Sequence, residues 1–359
     1  MRKLTLACLT AISVVALLLS GCQKAEEGGM AKKAETIDWK MASSFAATIP
    51  LIGTSGPYYS EKLAEASGGR LNIKFFDPGK LVPGLEVFDS VSKGAIDAGW
   101  SSSGYWIGKI PAVPMFAAVP FGPDTAEYLA WIFQGGGLDL WRELYAKHNL
   151  WVTPCVIIPP EASGWFRKPI TSLDQLKGMK IRFFGLGGKV IQKLGASVQL
   201  LAGGDIYPAL ERGVLDATEF SMPSIDEKLG FQQIAKHYYF PGWHQQASLV
   251  ELMINMDRWK SLNKQDQTLI ELTCKDTIIR GMTLGEVQQG PALERIKADG
   301  VTIHTWPPEI LRALKKTTDE VMEEEANKDP DFRRVYDSYK KFRASYAEWA
   351  KLSRIPPGY

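Results

Sequence analysis

The sequence is poor in the residues that reactive chemistry draws on. Among 359 residues only four are histidine and four cysteine. His148, His237, His244 and His304 stand at spacings that fit no metal-binding pattern, and the reading for His237 and His244, which flank an aromatic run, is packing. His-Glu-x-x-His, Gly-x-Ser-x-Gly and Cys-x-x-Cys are all absent, which argues against zinc proteases, nucleophile-elbow hydrolases and dithiol redox enzymes. An excess of charge is missing too. The 42 basic residues face 40 acidic ones and are scattered, so the chain shows no electrostatic footprint for a nucleic acid. Beyond the N-terminus no apolar run reaches the roughly 20 residues a membrane helix needs.

The N-terminus is different. Arg2 and Lys3 precede an apolar stretch from Leu4 to Leu19 that is interspersed with small residues, the pattern of a signal peptide. It closes on Leu19-Ser20-Gly21-Cys22, which resembles a bacterial lipobox, with Cys22 as the acylated first residue of the mature chain. Residues 1–21 are therefore read as a signal peptide and 22–36 as a polar, flexible tether to a membrane. An ordinary signal peptide followed by a chance cysteine is the alternative. With Cys22 lipidated, Cys155 and Cys274 could form at most one disulfide. A chain this long does not need one, and two free, buried cysteines are expected.

What remains is long enough for two domains and reads as α/β. Thr36–Met41 and Leu71–Phe76 alternate like strands, and a helix through Tyr58, Leu63 and Ala66 stops at Gly68-Gly69. One unit recurs: Lys93-Gly-Ala-Ile-Asp-Ala98 is echoed by Arg212-Gly-Val-Leu-Asp-Ala217. In each a basic residue closes an amphipathic helix, glycine stops it, and a short strand begins, as in α/β folds. Lys180–Phe184 is expected as a strand, Gly185–Gly188 as a turn, Lys189–Leu194 as a helix and Ser197–Leu201 as another strand. From Pro308 the pattern is helical. Phe332, Val335, Tyr339, Phe342, Tyr346 and Trp349 form one stripe, facing the protein's own core or, alternatively, a second copy.

Three side chains stand out. Arg182 lies in a strand between Ile181 and Phe183, where ligands of open α/β sheets collect, and its guanidinium matches a carboxylate; a structural salt bridge is the alternative. Glu161 sits in a loop between strands, and Glu219 ends the strand Leu215–Phe220. Acid–base chemistry, a hard cation and plain exposed or salt-bridged carboxylates all remain open for the two. Gly185-Leu-Gly-Gly-Lys189, with Asp205 twenty residues on, imitates a dinucleotide fingerprint, but Val190 occupies the third glycine position.

Several segments together carry a resemblance. Ser172–Arg182, Gly203–Glu219 and Tyr238-Tyr-Phe-Pro-Gly-Trp243, with Lys93–Ala98 and Val119-Pro-Phe-Gly122, are similar to the solute-binding components of tripartite ATP-independent periplasmic (TRAP) transporters. Trp165-Phe-Arg-Lys168 and Pro241-Gly-Trp243 resemble the branch that binds 2-oxo acids and small carboxylates. The resemblance implies a two-lobed α/β periplasmic-binding-protein fold with a ligand cleft between the lobes and long C-terminal helices. Residues 37–158 with part of 247–300 would form one lobe, 159–246 with part of the C-terminal region the other, and 301–359 the helices packing across both. It implies a non-catalytic binding protein that captures a small organic carboxylate and delivers it to a TRAP membrane permease. Arg182 would grip the carboxylate, and Tyr105, Trp106 and Trp243 would form apolar walls. A bridging cation would be held by Glu161, Glu219, the Phe220 carbonyl and Gln245. In that branch the position of Glu161 is usually glutamine. Two glutamates and a ligand carboxylate against Arg182 leave −2, which favours Ca²⁺ over Na⁺ or else a protonated Glu161. An exported carboxylate-handling enzyme, which would show turnover, and a lipoprotein sensor or scaffold, which would lack neighbouring permease genes, are the other readings.

Overall fold

The computed structural model describes residues 36–354; the stretch read above as a signal peptide, and all of the expected tether but Thr36, Cys22 included, lie outside them. Eleven strands occur among the described residues. In chain order they are β1 (Ile37–Ser43), β2 (Leu71–Phe76), β3 (Ala98–Ser101), β4 (Leu150–Ile158), β5 (Gly164–Phe166) and β6 (Lys180–Arg182). β7 (Ser197–Gln199), β8 (Ala217–Thr218), β9 (His237–Phe240), β10 (Ser248–Asn255) and β11 (Thr302–Thr305) follow. They form two separate sheets, ordered β2-β1-β3-β10-β4 and β11-β9-β5-β8-β6-β7, one to each lobe of the two-lobed α/β fold. The chain crosses from the first sheet to the second after β4, returns between β9 and β10, and crosses a third time between β10 and β11.

The helices are α1 (Ser55–Ala66), α2 (Val87–Ser92), α3 (Thr125–Gln134), α4 (Gly137–Ala146), α5 (Gly185–Lys193) and α6 (Gly203–Glu211). They continue with α7 (Pro223–Leu229), α8 (Met256–Ser261), α9 (Lys264–Ala298), α10 (Pro308–Lys328) and α11 (Pro330–Ser353). Their ends obey local chemistry. The side chains of Asp124, Asn263 and Asp329 accept backbone N–H groups at the starts of α3, α9 and α11, satisfying donors a helix leaves unpaired. In both recurring units the glycine, Gly94 or Gly213, takes a positive φ just past the helix, as their sequence suggests.

Four expectations need correction. Gly185–Gly188 is the first turn of α5 and not a loop. Gly187 is there for space, since a Cβ would lie 2.6 Å from the Phe183 ring and 2.9 Å from the Cβ of His244. The strands around Arg182 and Glu219 are shorter than their apolar runs, because β6 and β8 pair over two residues only (Ile181 with Ala217, Arg182 with Thr218). Cys155 and Cys274 are bonded as a disulfide, fully buried, joining β4 to α9. The C-terminal stripe divides: Phe332, Val335 and Tyr339 are buried, while Trp349 is 63% exposed.

The 35-residue α9 is about 50 Å long at 1.5 Å per residue, and the sequence reading did not anticipate it. Its inward face is built of small residues, including Thr273, Cys274, Thr277, Gly281 and Gly285, so apolar periodicity is weak. Those residues let α9 press on β4: a Cβ at Gly281 would stand 2.7 Å from Val156. The disulfide closes a 119-residue separation across this contact. Replacing both Cys155 and Cys274 by alanine is expected to lower stability by about 2–4 kcal/mol in urea unfolding, and reductant should do the same to the parent protein alone.

Candidate functional site

A cavity lies between the lobes, and the crossing segments form part of its wall. Glu161 stands in the first crossing, Gln245 in the second, and Ser248 and Val250 at the start of β10. Arg182, Phe184, Phe220 and Ser221 come from the second lobe, and Tyr105 from a 3-10 turn (Ser103–Trp106) of the first.

Arg182 and Glu219 are brought together by the β6–β8 register. Both are buried, at 1% and 0% exposure. The Arg182 Nη1 donates to Glu219 Oε1 at 2.7 Å and to the Glu219 carbonyl at 2.8 Å, and Nε donates to the Leu201 carbonyl at 3.2 Å. The guanidinium belongs to a side chain on the cavity wall and also stands close to the Tyr105 hydroxyl. Glu219 Oε1 also accepts the Phe184 N–H at 2.6 Å. Burial works to raise the Glu219 carboxyl, but the charge of Arg182 and the bonds from His244 and Phe184 outweigh it and hold the group below the ordinary carboxylate value.

Glu161 is placed differently. It is equally buried, yet it has no cationic partner among the described residues. Its Oε1 accepts from the hydroxyls of Ser221 (3.1 Å) and Ser248 (3.0 Å). The Gln245 amide faces the same carboxyl; with its nitrogen turned inward it donates to both oxygens, and with its oxygen inward the two groups present converging oxygens. Burial, and then the charge of Glu219, push Glu161 well above the ordinary carboxylate value. Asp226, on α7, is pushed up to about 7 by burial despite donors from Trp165 and Tyr238.

Of the side chains singled out in the sequence, Glu161, Arg182, Phe220, Gln245 and Tyr105 line the cavity, and Glu219 lies directly behind Arg182. Trp106 and Trp243 do not line it. Neighbours on one turn point in different directions, so Trp106 turns into the first lobe, where its Nε1 donates to the buried Glu251 at 3.0 Å. Trp243 is inserted in the core of the second lobe with Phe183 and Ile181. His244 is more than a packing residue. It packs on Phe183 with centroids 4.8 Å apart, but its Nε2 is 3.3 Å from Glu219 Oε2. Ligand-type atoms of Glu161, Glu219 and His244 all lie within 4.8 Å of one another. Its Nδ1 is buried without a partner. Ser221, Ser248, Phe184 and Asp226 were missed; only the nearness of Ser221 to Glu219 could have signalled any of them.

The donor set fits a hard cation. Carboxylate oxygens of Glu161 and Glu219, the Gln245 amide and the Phe220 carbonyl, to which nothing donates among the described residues, are the oxygen ligands such ions take. The rest of the wall combines apolar side chains, including Phe45, Ile52, Ile158 and Val250, with the hydroxyls of Ser102, Tyr105, Ser221 and Ser248, and Arg182 is its one basic residue among those described.

Residues 43–329 match the family described as bacterial extracellular solute-binding protein, family 7, DctP. The chain is 35% identical over 346 residues to the monocarboxylate 2-oxoacid-binding periplasmic protein of Nostoc sp. (strain PCC 7120), covering 96% of this chain and 94% of that protein. It superposes with a TM-score of 0.87, at 34% identity, on a TRAP transporter solute-binding protein from Bordetella bronchiseptica RB50, covering 89% and 95% of the two chains. That structure is a mixed-occupancy dimer with copurified calcium and picolinate in one active site and the other apo. A TRAP periplasmic solute-binding protein from Pseudoalteromonas atlantica T6c with bound sodium and pyruvate gives 0.84 at 30% identity, covering 90% and 100%. The chain thus belongs to the family 7 (DctP) bacterial extracellular solute-binding proteins of TRAP transporters, and is a transport binding protein rather than an enzyme.

Proposed function

We propose that this protein captures a short 2-oxo or 2-hydroxy monocarboxylate in the periplasm, together with a divalent cation of the Ca²⁺ type, and passes it to a TRAP permease. The observation that carries this is the buried Arg182 guanidinium on a cavity wall that also holds buried oxygen ligands and a mixture of hydroxyl and apolar side chains. One guanidinium matches one carboxylate, and no second basic residue among those lining the wall would hold a dicarboxylate's other end. The relative from Nostoc, described as binding monocarboxylate 2-oxoacids, supports the same class.

The cation follows from charge. Glu161, Glu219 and the ligand carboxylate bring −3 and Arg182 brings +1, so a monovalent ion leaves the buried set at −1 and a divalent ion neutralises it. The cation would also polarise the ligand's 2-oxygen and orient it. Relatives hold either calcium or sodium; the glutamate at 161 tips this chain toward calcium. Residues 37–158 with part of 247–300, and 159–246 with part of the C-terminal region, would be the two closing lobes, and 301–359 the helices across them. Trp349, the solvent-facing end of the C-terminal stripe, with the exposed Leu352 near it, supports a contact with a second copy. A lipid on Cys22 would keep the protein near its permease.

Three outcomes are expected. Arg182→Lys keeps the charge beside Glu219 but loses the fork, so calorimetry with pyruvate and Ca²⁺ should show about a tenfold to hundredfold loss of affinity; unchanged affinity would refute the anchor. Chelation should abolish binding in the parent, whereas Glu161→Gln should bind with Na⁺ as well as Ca²⁺; a parent carrying only a monovalent ion at full occupancy sinks the divalent assignment. Cys22→Ser should move the exported protein from the membrane fraction to the soluble one, and an unaltered distribution rules the anchor out.

A further inference from the structure

Phe121 has a φ of +52°, a left-handed conformation that bulky residues adopt only where their surroundings enforce it. Three parts of the molecule enforce it. From the second crossing, the Trp243 carbonyl accepts the Phe121 N–H at 2.6 Å, and the two rings lie 5.8 Å apart, with Phe121 packed against the core of the second lobe. From α11, Arg343 Nη1 donates to the Phe121 carbonyl at 2.9 Å. Within its own loop, Gly122 N–H bonds to the Val119 carbonyl at 2.9 Å. Arg343 is itself fixed, with Nε donating to Glu127 Oε1 at 3.0 Å and Nη1 to the Tyr339 hydroxyl at 3.2 Å. A loop of the first lobe is thus plugged into the second and held from behind by the last long helix.

We infer that Phe121 is the latch of the closed state and Arg343 the positioning residue that keeps it engaged. Opening the lobes must break the bond to Trp243 and withdraw the ring from the second core. Trp243 stands two residues before Gln245, whose amide faces Glu161 in the cavity. A ligand that orders the segment 243–245 therefore also orders the acceptor of the latch, and the strained backbone of Phe121 favours release once that acceptor moves. The assignment rests on the cavity being the ligand cleft proposed above. It adds that closure is held from a second place, outside the cavity, which the C-terminal helix controls.

The test uses the processed chain carrying spin labels on Lys80→Cys and Lys168→Cys, exposed positions in the first and second lobes. Phe121→Gly keeps the N–H and the left-handed backbone but deletes the ring; Arg343→Ala deletes the support. In both, the ligand-free distance distribution should shift toward the open form. Pyruvate with Ca²⁺ should dissociate about tenfold faster, with association unchanged. A lower melting temperature with parental distances and dissociation rate in both variants would mean that these residues only support packing, and would overturn the latch. If pyruvate fails to bind the parent, the ligand assignment falls while the ligand-free distances still decide the latch.

Discussion

Taking a guanidinium and two carboxyl groups out of water together is the constraint around which this molecule is arranged. Each buried ion costs several kcal/mol unless its hydrogen bonds are replaced. The protein replaces most of them. Arg182 reaches Glu219 twice and the Leu201 carbonyl once, and Glu219 receives the Phe184 N–H and stands beside His244. These partners come from β6, β8, the start of α5 and the second crossing, so the second lobe must be folded in register before the pair is compensated. Glu161 is left over: two hydroxyls and an amide surround it but no positive charge. Burial and the charge of Glu219 push its carboxyl toward the neutral form instead.

Much of this was legible in the sequence, and what was not has physical causes. Arg182, Glu219 and Glu161 could be singled out because charged residues interrupt apolar runs at strand ends. The two glycine-stopped units were readable because a C-terminal glycine is a local signal. The long α9 was invisible, since a helix that packs closely through threonine, cysteine and glycine has little apolar periodicity. The disulfide was missed for a related reason: nothing in two cysteines 119 residues apart says that α9 lies against β4. Trp106 and Trp243 were mistaken for cavity walls because composition reports that aromatics are present, not which way each one turns. His244 shows the converse. Its spacing from other histidines is uninformative, and only folding brings it beside Glu219.

The first two of the three crossings between the sheets also bear on motion. They connect the lobes, and through Glu161 and Gln245 they also touch whatever occupies the cavity. Binding and bending therefore share the same few residues. A solute held there, as proposed, would sit against the pivot of the lobes, with the mechanics of a nutcracker: a displacement of an ångström at the axis would sweep a much larger arc at the rim. A solute only a few atoms across would in this way write its presence onto distant faces of the protein, which a membrane partner could inspect without touching the solute itself.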